Sequence, residues 1–117
     1  MHHPHQGEIW LVNLDPTIGS EIKKTRPVLI ISNDINNEFA NTVTIVPITD
    51  KGDKIYPFEV FLSLKVSGII KESKIKCQQI RTVDKSRLIK QLGKIDDNLI
   101  KETQSALLIH LGIDLKI

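Results

Sequence analysis

The sequence is poor in the residues on which disulfide, metal and membrane chemistry depend. One of its 117 residues is cysteine, only 4% are aromatic, and three of the four histidines fall within the first five positions. A single cysteine excludes an intramolecular disulfide framework. One histidine and one cysteine in the remaining chain provide no metal-ligand spacing, and no apolar run reaches the length of a membrane span. We therefore expect no metal, no other cofactor and no membrane association.

The first six residues are histidine-rich and lack the apolar stretch of a secretory signal. We interpret residues 1–6 as a disordered tail or a remnant of cloning. Residues 7–117 are interpreted as one domain, because a chain of this length supports a single modest core. The absence of an export signal and of disulfides favours a cytoplasmic location.

Positive charge is concentrated in one part of the chain. The formal net charge is +2, yet residues 65–94 contain nine Lys or Arg against only Glu72 and Asp84. Clustered cations that neutralise phosphates are the main source of nucleic-acid affinity. A charge run is by default a solvated surface, so the asymmetry is only a modest indication of a polyanionic partner.

Apolar alternation predicts short strands, and helical spacing appears clearly only near the end of the chain. The predicted strands cover residues 7–14, 28–32, 42–49, 56–62, 74–83 and 91–95. Apolar residues from Leu99 to Leu111 recur at helical spacing, with Asp96 or Asp97 as cap and Gly112 as terminator. Because helices do not alternate with the strands, we predict a mostly β protein, a small antiparallel barrel or sandwich with a C-terminal helix.

Two predicted strands lose their alternation in the middle. One break falls at Val46-Pro47 and the other at Gln78-Gln79. The first indicates a bulge or an edge position, and the second indicates a bulge that re-aims side chains. Cys77, just before the second break, is most simply a small core residue.

Arg26 stands where a charged loop meets an apolar strand. Pro27 stiffens the backbone and pushes the preceding residue toward extended geometry, so the arginine is held at the strand entrance. Lys23 and Lys24 precede it in a polar loop suited to closing over an anion. Taken alone, such a loop is ordinarily solvated surface.

Thr49 ends the strand predicted at 42–49, where its hydroxyl equally suits a simple turn. Without a metal cluster or a placed histidine, RNA cleavage is the chemistry that fits, because the substrate supplies its own 2′-hydroxyl nucleophile. The protein then has to align that group and stabilise charge on phosphorus. Arg26 suits the second task, since its planar guanidinium binds phosphate oxygens bidentately and stays charged. Deprotonation falls to Glu21 or to water.

Several motifs in fixed order resemble the MazF/PemK family of toxins from bacterial type II toxin-antitoxin modules. The resemblance extends from Gly7 to Leu111, and the number of motifs at matching spacings makes it specific. The motifs are Gly7-Glu8-Ile9-Trp10, Asp15-Pro16-Thr17-Ile18-Gly19-Ser20-Glu21, Arg26-Pro27-Val28-Leu29-Ile30-Ile31-Ser32-Asn33-Asp34, Pro47-Ile48-Thr49, Tyr56-Pro57-Phe58-Glu59-Val60 and Gln79-Ile80-Arg81-Thr82-Val83-Asp84-Lys85-Ser86-Arg87-Leu88.

The resemblance implies a homodimeric SH3-like barrel of the kind that MazF and CcdB toxins share. It further implies an mRNA interferase, an endoribonuclease that cuts single-stranded RNA at short sequences without metal, leaving 2′,3′-cyclic phosphate and 5′-hydroxyl ends. A cognate antitoxin is the expected protein partner. Arg26 matches the family's catalytic arginine and Thr49 its catalytic threonine, while Glu21 is a candidate base or loop support. RNA contacts are expected from Ser20, Lys23, Lys24, Asn33, Gln79 and Arg81.

The loop before Arg26 departs from the family pattern. It reads Glu21-Ile22-Lys23-Lys24-Thr25, whereas many members have glutamine after the glutamate and one or two glycines before the arginine. The departure bears on loop mobility and on the recognised base sequence. An alternative function is a toxin of the same architecture that poisons DNA gyrase by binding, and a third is an RNA-binding module without activity. The pair Arg26 and Thr49 favours the endoribonuclease, because a gyrase binder has no need of it.

Overall fold

The strands of this protein pair with one another in antiparallel fashion, and one long helix follows them. The computed structural model describes residues 3–115. The strands are β1 (Glu8–Asn13), β2 (Thr25–Ile30), β3 (Thr42–Asp50), β4 (Glu59–Leu62), β5 (Ser73–Lys76), β6 (Arg81–Asp84) and β7 (Leu88–Lys94); the helices are α1 (Asp34–Phe39) and α2 (Asp97–Leu111). The predicted mostly β class with a C-terminal helix is confirmed. Within residues 3–115 no helix is long and apolar enough to cross a membrane.

The order of strands is β4-β5-β3-β2-β1-β7, with β6 also pairing with β3. Within the described part of the chain no ladder joins β4 to β7, so the hydrogen-bonded path stays open. In its backbone hydrogen bonding, the sheet of the expected barrel is open between β4 and β7.

Two apolar clusters lie on opposite faces of the central strands. The first, called here the helix-side cluster, includes Ile9, Leu29, Val46 and Ile48 and is covered by Ala106 of α2. The second, called the loop-side cluster, consists of Val12, Leu14, Val28, Ile30, Val43, Ile45 and Val83. Because successive strand residues point to opposite faces, β1, β2 and β3 contribute to both clusters and are apolar on both faces.

The break predicted at Val46-Pro47 arises from a change of partner, and β3 is neither bulged nor an edge strand there. β2 pairs with this stretch, with Val28 opposite Pro47. On its other side β3 pairs with β6 up to Ile45 and with β5 from Ile48. Pro47, which has no N–H to donate, lies between these two ladders.

The strand predicted at 74–83 is divided in two. A 3₁₀ turn at Cys77–Gln79 separates β5 from β6, in place of the expected bulge. This turn lies beside the part of β3 that passes from pairing with β6 to pairing with β5. The side chains of its two glutamines bind Glu59 and the Ile22 N–H. Cys77 is fully buried in the helix-side cluster, as predicted.

The ends of the domain are defined by caps and by local hydrogen bonds. Asp96 caps α2 through the Leu99 N–H, and Gly112 ends it with a φ of +68°, as predicted. At the other end, Pro4 is buried and Gln6 donates its Nε2 to the Ile31 carbonyl at 2.9 Å. The interpretation of residues 1–6 as a disordered tail therefore needs correction for residues 3–6. Residues 1 and 2 lie outside the described residues.

Candidate functional site

Arg26 and Thr49 line the same recess. It lies between β2, the end of β3 and the segment before β5, with a volume of about 180 Å³. We call it the Arg26–Thr49 recess. Its lining residues are Arg26, Pro27, Ile48, Thr49, Asp50, Gly68, Ile69, Ile70, Lys71 and Ser73.

The β2–β3 register explains why these two side chains meet. The recorded ladder ends with Val28 opposite Pro47. Continuing the same antiparallel register by two residues sets Arg26 opposite Thr49. Directly opposed residues share a face of the sheet, so a cation and a hydroxyl face one recess.

The segment 67–71 forms the far wall, and it is held against β7. Ser67 Oγ accepts from the Lys94 N–H at 2.9 Å and donates to the Lys94 carbonyl at 3.1 Å. The approach requires glycine, because a Cβ on Gly93 would lie 2.1 Å from the Ser67 carbonyl oxygen. Gly68 also has a φ of +85°, a conformation that glycine adopts at no steric cost. The recess therefore has a fixed wall.

Arg26 is the unpaired cation of this recess. Its Nε donates to the Lys23 carbonyl at 3.2 Å, and within residues 3–115 no carboxylate lies within ion-pairing distance of its guanidinium. Lys71 differs, since its Nζ is 2.7 Å from Asp50 Oδ1. The arginine charge is thus left available to an anion.

A second recess lies beside the first and contains four more of the predicted residues. Its volume is about 340 Å³, and we call it the Gln79 recess. Pro47 lines it, whereas Ile48 and Thr49 line the first, so the two recesses adjoin along β3. The lining residues are Ser20, Glu21, Ile22, Pro47, Gln78, Gln79, Ile80 and Arg81.

Two of these predicted RNA-contacting residues, Gln79 and Arg81, also form hydrogen bonds within the protein. Gln79 Oε1 accepts from the Ile22 N–H at 2.7 Å, and its Nε2 donates to the Ser20 carbonyl at 3.2 Å. Arg81 Nη1 donates to the Leu14 carbonyl at 3.1 Å.

Glu21 and the two lysines belong to the loop itself. Glu21 Oε1 accepts from the Ile18 N–H at 2.6 Å, which is the geometry of loop support. Lys23 and Lys24 are exposed and line neither recess. Lys24 has a φ of +69°, a left-handed conformation that a residue with a Cβ adopts at a cost.

Asn33 is not brought together with the other predicted residues. It caps α1, where its Oδ1 accepts from the Asn36 N–H at 2.8 Å. It lines a separate groove with Ser32 and Leu107. Its recorded contact is that of a helix cap.

A buried ion pair supports the floor beside the Gln79 recess. Glu59 accepts from Lys74 Nζ at 2.9 Å and from Gln78 Nε2 at 2.7 Å. Burial acts to raise the pKa of the Glu59 carboxyl, but hydrogen bonds from Gln78, the Tyr56 backbone and Lys74 outweigh it and hold that pKa below 4.5. Burial, with a smaller contribution from the Glu59 charge, raises the pKa of the Cys77 thiol to about 12, so the thiol stays protonated at neutral pH.

Sequence reasoning missed the wall residues Gly68 and Ser73 and the role of Gln78. The only signal was the Ser67-Gly68 turn, which does not reveal what the turn packs against. Within residues 3–115 no group of three or more His, Cys, Asp or Glu is placed to hold a metal ion.

Comparisons with known proteins agree on one family. The model of the PemK-like, MazF-like toxins of type II toxin-antitoxin systems matches residues 5–111. The chain is 36% identical over 113 residues to endoribonuclease MazF9 of Mycobacterium tuberculosis, covering 92% of this chain and 96% of the relative. It is 37% identical over 109 residues to endoribonuclease EndoA of Bacillus subtilis, covering 92% and 94%.

The fold agrees with a solved structure of this kind. A mycobacterial endoribonuclease in complex with its cognate antitoxin superposes with a TM-score of 0.80 at 21% identity, covering 97% of this chain and 99% of the other. This match shows that the two chains share one fold. The chain belongs to the PemK-like, MazF-like toxin family of type II toxin-antitoxin systems.

Proposed function

We propose that this toxin is a metal-independent endoribonuclease that cleaves single-stranded RNA at short sequences. The observation that carries the proposal is the shared recess of Arg26 and Thr49, the two residues that match the family's catalytic pair. The endoribonuclease relatives MazF9 and EndoA support the same activity.

In the proposed reaction, a ribose 2′-oxygen attacks the adjacent phosphorus and the bond to the 5′-oxygen breaks. The products are a 2′,3′-cyclic phosphate and a 5′-hydroxyl. Arg26 binds the non-bridging oxygens and stabilises the charge that develops on them, because its guanidinium is unpaired and exposed. Thr49 faces the same recess and orients the reacting phosphate through its hydroxyl.

The proton of the 2′-hydroxyl passes to water in this scheme, and the departing 5′-oxygen takes a proton from water to become the 5′-hydroxyl. Glu21 is the other candidate from the sequence, but its carboxylate is bonded to the Ile18 N–H and lines the second recess. We therefore assign Glu21 to loop support.

The Gln79 recess is proposed to hold RNA on one side of the cleaved phosphate. It adjoins the Arg26–Thr49 recess along β3, so one strand can run across both. Ser20 and Arg81 line it. Lys23 and Lys24 line neither recess but are exposed on the same loop as Ser20, and they are proposed to meet phosphates. Asn33 lies in another groove and is proposed to contact only RNA that extends beyond these recesses.

The proposed partners are RNA, a cognate antitoxin and a second copy of the chain. The antitoxin follows from the family and from the mycobacterial complex, and we propose that it blocks the RNA groove. We further propose that the toxin works as a homodimer in the cytoplasm.

The test is incubation of the purified toxin, free of antitoxin, with a long single-stranded RNA in EDTA, with mapping of the new ends. We expect discrete cuts at a recurring short sequence with 5′-hydroxyl ends. Arg26→Ala should lower the rate by about 10²- to 10³-fold, the usual effect of removing one charge-stabilising donor. Because Arg26 is exposed, the Arg26→Ala variant should retain its fold. The matched control is Lys90→Ala, which removes another exposed positive charge. Intact RNA from a folded wild-type toxin would overturn the proposal, and inhibition of gyrase would then be assayed.

A further inference from the structure

Gln79 connects the sheet to the loop that precedes Arg26. Its amide oxygen accepts from the Ile22 N–H and its amide nitrogen donates to the Ser20 carbonyl, at 2.7 and 3.2 Å. One side chain therefore satisfies two backbone groups of the loop, across more than fifty residues of sequence. These two hydrogen bonds join the 3₁₀ turn to the loop.

The same point of the loop is also anchored by an apolar contact. The Ile22 side chain is half-buried against the loop-side cluster, whereas Ile18, in the outer part of the loop, is 84% exposed. In this chain the loop is thus pinned near its β2 end by one apolar side chain and by the Gln79 amide.

From Ile22 the constraint continues to Arg26. The next residue, Lys23, gives its carbonyl to Arg26 Nε at 3.2 Å. Lys24 is fixed on both sides, since its N–H donates to Asp15 Oδ1 at 3.1 Å and its carbonyl accepts from the Leu14 N–H at 2.9 Å. Ile22 and the Arg26 side chain are therefore connected through one intervening residue, Lys23.

Gln78, the neighbour of Gln79, is bound to a different partner. Gln78 and Gln79 share the 3₁₀ turn, and Gln78 Nε2 is bound to the buried carboxylate of Glu59 at 2.7 Å. The two glutamines of the turn thus bind different partners, Gln78 the carboxylate of Glu59 and Gln79 the loop.

We propose that Gln79 is a positioning residue that latches the loop at Ile22 and, through the Lys23 carbonyl, holds Arg26 ready for the RNA phosphate. The inference rests on the proposed endoribonuclease function. It assigns Gln79 a role in the chemical step in place of the direct RNA contact expected from the sequence.

The experiment compares the wild-type toxin with Gln79→Ala, Gln79→Glu and Gln91→Ala. Gln91 is the matched control, because among residues 3–115 its side chain bonds only to the Gly93 carbonyl within its own strand. In the RNA-free protein, NMR measures hydrogen exchange of the Ile22 amide and the Arg26 Nε–H signal. In parallel, kcat and KM are measured on a short RNA that contains the cleavage site.

For Gln79→Ala we expect protection of the Ile22 amide to fall about tenfold or more, since one net hydrogen bond is worth about a factor of ten. The Arg26 Nε–H signal should broaden or shift. We expect kcat to fall about tenfold with KM changed by less than about threefold, the pattern of an interaction used in the transition state. Gln79→Glu keeps the acceptor for Ile22, so it should retain most of the protection and part of the rate, and Gln91→Ala should match the wild type.

Unchanged Ile22 protection and an unchanged Arg26 signal in Gln79→Ala would overturn the latch. A raised KM with unchanged kcat would also overturn it, because Gln79 would then bind RNA directly. If the wild-type toxin leaves RNA intact, the proposed function fails, while the two RNA-free NMR signals still decide whether the latch exists.

Discussion

Arg26 on β2 and Thr49 on β3 face one recess because the two strands share a register that ends two residues short of them, at Val28 and Pro47. The recess also takes one wall from the segment 67–71, which β7 holds in place. An unpaired cation and a hydroxyl are thereby presented together on a rigid frame. The following predictions test this arrangement and its supports.

Replacing Thr49 separates the role of its hydroxyl from that of its shape. Thr49→Val keeps the shape and the strand preference but removes the hydroxyl, so the single-turnover cleavage rate should fall by about 10²-fold. Thr49→Ser restores the hydroxyl and should recover most of that rate. Thermal unfolding should barely change in either variant, because Thr49 is half-exposed at a strand end. Equal rates for the valine and serine variants would remove the hydroxyl from the mechanism.

If Lys23 and Lys24 contact RNA phosphates, they should contribute to the salt dependence of RNA binding. Each phosphate contact to single-stranded RNA contributes about 0.7 to the slope of log affinity against log salt concentration, so Lys23→Ala with Lys24→Ala should reduce the slope by about 1.4. The double variant Lys90→Ala with Lys101→Ala removes two exposed charges that line neither recess and should leave the slope nearly unchanged. Binding is measured in the Arg26→Ala background, in which cleavage is expected to be slow. The same slope in both double variants would mean that the loop lysines do not contact RNA phosphates.

The backbone at Lys24 is strained, and glycine should relieve that strain. A left-handed residue with a Cβ costs about 1 kcal/mol or more, whereas glycine loses about 0.5–1 kcal/mol of stability through its greater freedom in the unfolded chain. Lys24→Gly should therefore be as stable as the wild type or slightly more stable. Lys23→Gly, at a position without positive φ, should lose stability. Urea unfolding of the two variants should differ by about 1 kcal/mol, and no difference would mean that Lys24 is unstrained in solution.

The buried pair of Glu59 and Lys74 should make stability depend on pH. Because the pKa of Glu59 is lowered in the folded protein, its charge stabilises the fold above about pH 4.5, and this contribution is lost as pH falls through the lowered pKa. Glu59→Gln should reduce the free energy of unfolding at pH 7 by about 3 kcal/mol, since it leaves the Lys74 ammonium buried without a counter-charge. The difference from the wild type should narrow toward pH 3.

The matched control for this pair is Asp50→Asn. Asp50 pairs with Lys71 at 2.7 Å, but both side chains are more than half exposed. Its loss should cost less than about 1 kcal/mol, as for other exposed ion pairs. A Glu59→Gln effect no larger than this, or one that does not change between pH 7 and pH 3, would contradict the role given to the buried pair.

Local sequence determined the types of element and selected the candidate site residues, whose roles remain predictions. Alternation predicted the strands, and the cap at Asp96 with the terminator at Gly112 predicted α2, because these signals act within a few residues. The family motifs selected Arg26 and Thr49. These features depend on backbone preferences and on side-chain chemistry that a single stretch of sequence carries.

Tertiary structure decided what these residues contact. The change of partner along β3 replaced a predicted bulge with a 3₁₀ turn, and the packing of segment 67–71 on β7 built a wall that no local pattern indicates. Gln79 forms hydrogen bonds with two backbone groups of the loop, and Asn33 caps the first turn of α1. The physical reason is that the hydrogen-bond partner of a polar side chain depends on which segments pack beside it. Strand pairing brings together residues that are far apart in the chain, so a local stretch of sequence does not specify that partner.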